Sequence, residues 1–129
     1  SPGEQHTVQL WDAATGEIVL GRVRRCSSFL CRLRGLTFRR RLGEDEGLLL
    51  VGDRASRVGA AIHMMFVFFP IGVVWLDAGG RVVDTCLARP FQILRAPRER
   101  ARDVLEGPPG LLDRTRPDDV LLLSEAERA

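Results

Sequence analysis

The histidine in the middle of the chain is the side chain best suited to acid–base or ligand-binding chemistry. His63 lies in an apolar stretch beside Met64 and Met65, and the other histidine, His6, is far away in sequence. An imidazole can bind a ligand or transfer a proton near neutral pH, but a buried, hydrogen-bonded histidine with a structural role gives the same pattern. No H-E-x-x-H or similar spacing accompanies it, so the sequence predicts no metal site.

Three carboxylates could act together with this histidine. Asp45 and Glu46 are adjacent, and Asp77 follows an apolar segment. Adjacent residues of an extended segment point to opposite sides, so the first two are more typical of a turn than of a shared acid–base site. A small hydrolase or lyase that uses His63 with one of these carboxylates is one hypothesis, and it requires the side chains to converge in an open cleft.

Arginines are concentrated in one part of the chain. The stretch from Arg22 to Arg41 holds eight arginines and no acidic residue, although the net charge of the whole chain is only +2. Such a stretch could contact the phosphates of an anionic polymer, or it could be a solvated face. Phe29 and Phe38 are its only aromatic residues, so base stacking has little support and the pattern argues against nucleic acid. The candidate anion-binding residues are Arg24, Arg25, Arg39, Arg40 and Arg41.

The cysteines predict neither a disulfide framework nor a zinc ribbon. There are three, Cys26, Cys31 and Cys86, without a C-x-x-C pair. If the first two bracket a short helix, their spacing places them about 140° apart around its axis, which argues against a bond between them. We therefore expect free thiols, which favour a reducing compartment, although a removed signal peptide is also compatible with the sequence. No phosphate-binding glycine loop or dinucleotide fingerprint is present, and we expect no cofactor.

The apolar patterns predict a chain dominated by short strands. Residues 7–12 and 17–23 alternate around a turn that ends at Gly16, which predicts a hairpin. Gly79 and Gly80 can supply the positive φ that a tight turn needs, which predicts a second hairpin. Strands are expected at 48–51, 60–68, 71–77, 81–87, 102–106 and 120–123, and short helices at 27–35 and after Pro108.

These elements predict an α+β fold that is dominated by β-structure. We expect a small barrel or a rolled, mostly antiparallel sheet of about seven strands with one or two short helices. The length of 129 residues suits a single globular domain over 1–129, with flexible tails at 1–5 and 124–129. The apolar run 60–76 is interrupted by Pro70 and is rich in valine and isoleucine, so it predicts two buried strands and no transmembrane segment.

Several short motifs follow one another in a defined order from about residue 26 onward. They are Arg34–Leu36, Glu44–Leu50, Ile62–His63, Phe69–Ile71, Val73–Asp77, Gly80–Val83, Val104–Glu106 and Arg116–Pro117. In this order they resemble the uncharacterised family DUF192, also called UPF0127. The resemblance implies a compact β-rich fold and no agreed activity. Two positions depart from the family pattern, which has Asp at the position of Gly72 and Gly at that of Asp118, so a polar site of the family that used the first position would lack a carboxylate here.

The shortage of converging polar residues beside well-marked apolar strands favours a non-catalytic binding module. We expect its site near His63 and Pro70, with the turn from Glu44 to Gly47 beside it. The partner would be a small molecule or a protein, and the sequence leaves the oligomeric state open. The candidate binding residues are His63, Asp45, Glu46, Pro70 and Asp77.

Overall fold

A computed structural model describes residues 7–26, 42–56, 69–90 and 96–125. The helix expected over 27–35 and the strand expected over 60–68 lie outside these residues. The described residues form seven strands and a short 3-10 helix at Pro109–Asp113, where a helical turn after Pro108 was predicted. The strands are β1 (Thr7–Asp12), β2 (Ile18–Cys26), β3 (Glu46–Ser56), β4 (Ile71–Leu76), β5 (Val82–Ala88), β6 (Ala101–Gly107) and β7 (Leu121–Glu125).

The seven strands form one sheet in the order β5-β4-β6-β3-β2-β1-β7. Both predicted hairpins are confirmed, since β1 pairs antiparallel with β2 and β4 pairs antiparallel with β5. Gly80, in the turn between β4 and β5, has the expected positive φ, at 85°. The pairing of β2 with β3 is parallel, whereas all other pairings are antiparallel. β3 is longer than the predicted 48–51, because Glu46 and Gly47 already pair with β2.

The sheet is rolled so that its two edge strands meet at one end. Arg81 and Val120 form an isolated bridge, Val82 donates a backbone hydrogen bond to Asp119 and accepts one from Asp118, and Leu121 donates one to Gly80. We call this contact, between 80–82 and 118–121, the seam. In the described part of the chain β5 and β7 share no longer ladder, so the predicted rolled sheet describes the fold better than a closed barrel.

Apolar side chains cover both faces of the sheet. The inner core takes residues from all seven strands and from the 3-10 helix, with Leu10, Leu20 and Leu105 almost completely buried. The outer core is built on β2 to β6 and includes Leu48, Val73 and Val104. No helix among the described residues is long and apolar enough to cross a membrane.

The strand directions define two ends of the sheet. Gly72 pairs with Gly107, so β4 begins where β6 ends, and β3 begins at this same end. We call it the glycine end. β4 runs away from it to Leu76, which pairs with Asp103 of β6 and with Val82 of β5, next to the seam. The length of β4 therefore separates the glycine end from the seam by about 16 Å.

Cys26 corrects one prediction. It is buried at the end of β2 and is disulfide-bonded, while Cys86 is not part of a disulfide, so the partner of Cys26 lies outside the described residues. The expectation of free thiols is wrong for Cys26 because it assumed that a helix begins there. β2 instead runs through Cys26, and the cysteines no longer favour a reducing compartment.

Candidate functional site

A charged side chain lies within the outer core near the glycine end. Glu106, on β6, pairs with Leu48 of β3 on one side and with Val73 of β4 on the other. Leu48 pairs in turn with Arg24 of β2, and Val73 pairs with Cys86 of β5. Laterally paired residues share one face of a sheet, so these five side chains form a row across the outer face. We call it the Glu106 row.

Glu106 is almost completely buried, with 5% of its surface exposed. Among the described residues, no group donates a hydrogen bond to its carboxyl. Its neighbours Leu48 and Val73 are apolar, and Arg24 is two strands away, about 10 Å between Cα atoms. Burial raises the pKa of Glu106 to about 7, because an ionised carboxylate loses hydration when it is removed from water.

Three residues that the sequence proposed lie close to this row. Arg24 is a member of it and is half-buried. Glu46, also half-buried, is two residues before Leu48 on β3, which places it on the same face and diagonally across from Glu106. Pro70 is exposed and comes directly before β4, whose first residue, Ile71, belongs to the outer core. The glycine end therefore brings Arg24, Glu46 and Pro70 to one region of the outer face.

Asp45 has a structural role in the turn before β3. Its Oδ1 accepts a hydrogen bond of 2.8 Å from the backbone N–H of Gly21, and its carbonyl accepts one of 3.0 Å from Arg22. Arg114, which follows the 3-10 helix, supports the same turn by donating from Nη1 to the carbonyls of Val19 at 3.0 Å and Glu44 at 3.1 Å. The turn preference predicted for Asp45 is thus explained by these contacts.

Asp77 lies at the other end of the sheet. Its Oδ1 accepts hydrogen bonds of 2.9 Å from the backbone N–H groups of Gly79 and Arg81, which closes the turn of the β4–β5 hairpin. Its Oδ2 is 3.3 Å from Nε of Arg81. The structure therefore does not bring Asp77 together with Asp45 and Glu46.

The remaining predicted residues give no common site in the part of the chain that the structure describes. His63, Arg39, Arg40 and Arg41 lie outside it. Arg24 and Arg25 follow one another in β2, so strand alternation sends them to opposite faces. Among the described residues, no group of three or more histidine, cysteine or acidic side chains could hold a metal ion.

A cleft of about 410 Å³ lies on another part of the molecule, beside the β1–β2 turn. Glu17 and Ile18 line it from the turn, and Asp113, Arg114 and Arg116 line it from the end of the 3-10 helix. None of the candidate residues predicted from sequence lines this cleft. Its polar groups include those that hold the turns themselves, such as Asp12, which accepts a hydrogen bond from Ala14.

The two departures from the family pattern have structural explanations. A Cβ at Gly72 would lie 2.8 Å from the carbonyl oxygen of Pro108 and 3.3 Å from Leu112, so a carboxylate there would require the 3-10 helix to move. Gly72 also faces the side of the sheet opposite to Glu106, since it alternates with Val73. Asp118 has a φ of 77°, in the left-handed region where glycine is favoured.

Comparison with known proteins confirms the resemblance to the DUF192 family that the sequence motifs indicated. The model of the DUF192 family, described as an uncharacterised ACR, matches residues 12–121. The chain belongs to this family. A UPF0127 protein of Thermococcus gammatolerans is 39% identical over 97 residues, which are 75% of this chain and 61% of that protein. A UPF0127 protein of Pyrococcus horikoshii is 36% identical over 98 residues, covering 76% of this chain and 82% of that protein. This DUF192 chain thus spans less than two thirds of the Thermococcus relative.

Two crystal structures share the fold of this DUF192 chain. One is a Sinorhizobium meliloti protein that carries a provisional description as a transcription regulator, with a TM-score of 0.79 at 24% identity, covering 93% of this chain and 94% of that one. The other is a protein of unknown function from Novosphingobium aromaticivorans, with a TM-score of 0.75 at 20% identity, covering 90% and 83%. At these identities the likeness shows the fold alone.

Sequence reasoning assigned no role to Glu106. The signal was present, because Glu106 ends the motif Val104-Leu105-Glu106 inside a predicted strand of apolar residues. Glutamate is seldom fully buried unless it is paired, so its placement on the Val104 face of that strand is informative. The face could be assigned only once the pairing with β3 and β4 was known.

Proposed function

We propose that this DUF192 protein is a binding module whose ligand contacts the outer face of the sheet at the Glu106 row. The observation that carries the proposal is the burial of Glu106 between Leu48 and Val73 without a hydrogen-bond donor among the described residues. A buried acid in apolar surroundings reduces the stability of the fold when it ionises. A ligand that supplies a polar partner would offset this cost.

Two of the binding residues proposed from sequence, Glu46 and Pro70, lie near the proposed site. Arg24, Glu46 and Pro70 lie around the glycine end, and two of them share the outer face with Glu106. The apolar members of the row, Leu48 and Val73, surround Glu106 with apolar atoms. This combination of apolar walls with few polar groups is typical of small-molecule sites.

The enzymatic alternative has less support from the geometry. Asp45 is engaged with Gly21, and Asp77 is engaged with Arg81 about 16 Å away along β4. Of the three carboxylates proposed as partners of His63, Asp45 and Asp77 thus already hold turns. A test is to replace His63 by Gln and to measure hydrolysis of ester and amide substrates, where an activity that depends on His63 would favour an enzyme over our proposal.

The anionic-polymer alternative depends on the arginines between Arg22 and Arg41. Of those that the structure describes, Arg22 and Arg24 share the outer face whereas Arg25 alternates to the other side. The neighbour described provisionally as a transcription regulator is only 24% identical. Binding of duplex DNA with an affinity that falls steeply with salt would favour this alternative.

The direct test of the proposal is a binding screen by NMR. The ¹⁵N-labelled chain is titrated with a fragment library that contains cationic, anionic and neutral compounds of matched size. We expect hits that shift the amides of Arg24, Leu48, Val73 and Glu106, and we expect Glu106→Gln to weaken them. The control is Glu17→Gln, which changes an exposed carboxylate of the β1–β2 turn. A screen whose hits all map elsewhere, or that gives no hits, would overturn the proposal.

A further inference from the structure

We infer that β7 and a pocket beneath it form a docking site for an extended segment of a partner protein. The segment adds a strand to the open edge of β7 and places one bulky apolar side chain in the pocket. The site lies on the inner face of the sheet, opposite to the Glu106 row, and is independent of the function proposed for that row. The inference follows from the backbone edge of β7, from the pocket, and from the register that aligns them.

β7 is the last strand of the sheet, and one of its edges is open beyond the seam. β1 pairs with its other edge. The N–H of Leu121 points away from β1 and donates to Gly80 at the seam. Backbone groups of an antiparallel strand alternate in direction, so those of Leu123 and Glu125 also point away from β1. None of the described residues pairs with these groups, and an edge of this kind is a template for another strand.

A pocket of about 160 Å³ lies beneath this edge. Its described lining includes Leu10, Leu49 and Leu76 of the inner core, residues 121–123 of β7, and residues 78–80 of the β4–β5 turn. The side chains of these residues have no polar atoms. An apolar cavity of roughly 150 Å³ holds a group as large as benzene. The pocket therefore has the size of one branched aliphatic or aromatic side chain.

The two charged residues in the described lining of the pocket are paired with each other. Arg102 donates from Nε to Oδ1 of Asp103 and from Nη2 to Oδ2, each at 2.9 Å. Oδ1 of Asp103 also accepts a hydrogen bond of 3.2 Å from the backbone N–H of Gly52. A charged side chain in the pocket would lose hydration beside charges that already pair, whereas an apolar side chain gains free energy by leaving water. The pocket therefore favours an apolar occupant.

The register of β7 places the open edge over the pocket. Leu123 lies opposite Leu10, which is buried in the inner core, while Leu123 itself is 43% exposed. Laterally paired residues share one face of a sheet, so a residue that pairs with Leu123 directs its side chain over the pocket. The contact at the seam is antiparallel, and an added strand continues it along β7. In this direction the N–H and C=O of the added residue meet those of Leu123.

A second copy of this chain is less suited to the site than a segment of another protein. In that copy Leu121 is already bonded to Gly80, and Leu123 lines the copy's own pocket. The strand that occupies this site must direct an apolar side chain away from its own protein. An extended terminus or loop meets this requirement, because strand addition takes its affinity from the backbone and its specificity from the pocket.

The experiment uses capped heptapeptides of lysine, threonine, valine, a central residue, valine, threonine and lysine, in which the central residue is leucine, phenylalanine or alanine. Each is titrated into the ¹⁵N-labelled full chain, and the amides of residues 78–80 and 121–125 are followed. We expect the leucine and phenylalanine peptides to shift these amides. The alanine peptide should bind at least tenfold more weakly, because it leaves the pocket empty. The amides of the Glu106 row should not shift.

N-methylated peptides test the added strand itself. Methylation at the central residue removes the N–H that bonds to Leu123 and should weaken binding of the leucine peptide at least tenfold. Methylation at the following residue changes an N–H that points away from β7, and it should weaken binding less than threefold. In the chain, Leu123→Pro removes the N–H at the open edge, while Leu123→Ala keeps it. We expect the proline variant to lose binding of the leucine peptide and the alanine variant to weaken it less than threefold.

Several results would overturn the inference and leave the proposed function at the Glu106 row untouched. They are the absence of shifts in residues 121–125, equal binding of the alanine and leucine peptides, and equal binding of the two N-methylated peptides. Protection of the Leu123 and Glu125 amides from exchange in the free chain would also overturn it, because the edge would already be covered. Protection that increases with protein concentration would identify a second copy as the occupant. Should Leu123→Pro not fold, as judged from its spectrum, the N-methylated peptides decide the question.

Discussion

Asp118 adopts a left-handed backbone conformation while its Oδ1 accepts a hydrogen bond of 2.7 Å from Nη1 of Arg81. Arg81 also contacts Asp77 and Glu99, so Asp118 is one of three acidic groups around a single guanidinium at the seam. Asp118 stands where the family pattern has glycine. It thus has a strained backbone conformation, but its side chain forms an ion pair with Arg81.

Replacing Asp118 should separate these two effects. Asp118→Gly removes the ion pair and the backbone strain together, whereas Asp118→Ala removes the ion pair and keeps the strain. We expect the glycine variant to be more stable than the alanine variant by about 1 kcal/mol, and to lie close to the unmodified protein. Urea denaturation measures the difference, with Asp113→Ala, an exposed position on the 3-10 helix, as a control. Equal stability of the two variants would contradict the argument.

Gly80 and Gly79 form a matched pair for testing the seam. Gly80 has a φ of 85° and a Cβ there would overlap the carbonyl oxygen of Leu121, whereas a Cβ at Gly79 would meet only Asp77 Oδ1 at 3.5 Å. We expect Gly80→Ala to cost at least 2 kcal/mol, roughly, because backbone strain and overlap add. Gly79→Ala should change stability by less than about 1 kcal/mol. Amide hydrogen exchange should also accelerate at Leu121 in the first variant, since its N–H donates to Gly80.

The raised pKa of Glu106 makes a prediction about stability and pH. In the unfolded chain the carboxyl ionises around its ordinary pKa of 4.5, but in the fold it keeps its proton up to about pH 7. Between about pH 4.5 and pH 7 the folded protein holds a proton on Glu106 that the unfolded chain has released. The free energy of unfolding therefore falls as the pH rises from 4.5 through 7. The loss should be about 3 kcal/mol in total.

Glu106→Gln should remove this dependence, because an amide does not titrate. Free energies of unfolding at pH 5 and pH 8 should show the variant gaining about 2.5 kcal/mol relative to the unmodified protein across that interval. Glu17→Gln serves as the control, because it makes the same chemical change at an exposed position in the β1–β2 turn. A constant difference for Glu106→Gln would mean that the buried carboxyl ionises normally.

Arg114 should contribute to the turn that precedes β3. Its guanidinium donates to the carbonyls of Val19 and Glu44, so Arg114→Met keeps the aliphatic stem and removes both donors. We expect a loss of about 1 to 2 kcal/mol and faster amide exchange at Gly21, whose N–H is held by the same turn. Arg116→Met, at an exposed neighbouring position, should have little effect. If both variants lose the same stability, Arg114 has no special role.

Local signals predicted much of the fold. The alternation in residues 7–12 matches β1 at Thr7–Asp12, and the glycines at 79 and 80 mark the turn between β4 and β5. Both features depend on residues that are close together in sequence, so they could be predicted from the local pattern. The parallel pairing of β2 with β3 could not be predicted in this way, since it depends on a contact between residues 24 apart, such as Arg22 and Glu46.

Only some of the positions around the candidate site could be assigned from local signals. Pro70 and Glu46 could be placed at strand ends from sequence, and both lie at the glycine end. The burial of Glu106 could be recognised only from its lateral neighbours Leu48 and Val73, which belong to two strands that are distant from it in sequence. Asp77 was proposed as one possible partner of His63, and the direction of β4 places it at the end of the sheet opposite to Asp45 and Glu46.

The pairing of β1 with β7 has a consequence for how the protein forms during synthesis. Val8 lies opposite Glu125, and Leu10 lies opposite Leu123, so β1 is flanked on one side by a strand that is synthesised much later. A nascent chain that has not yet reached Leu121 must leave the buried side chains Val8 and Leu10 uncovered along that edge. Completion of this sheet is thus postponed until translation has passed β7.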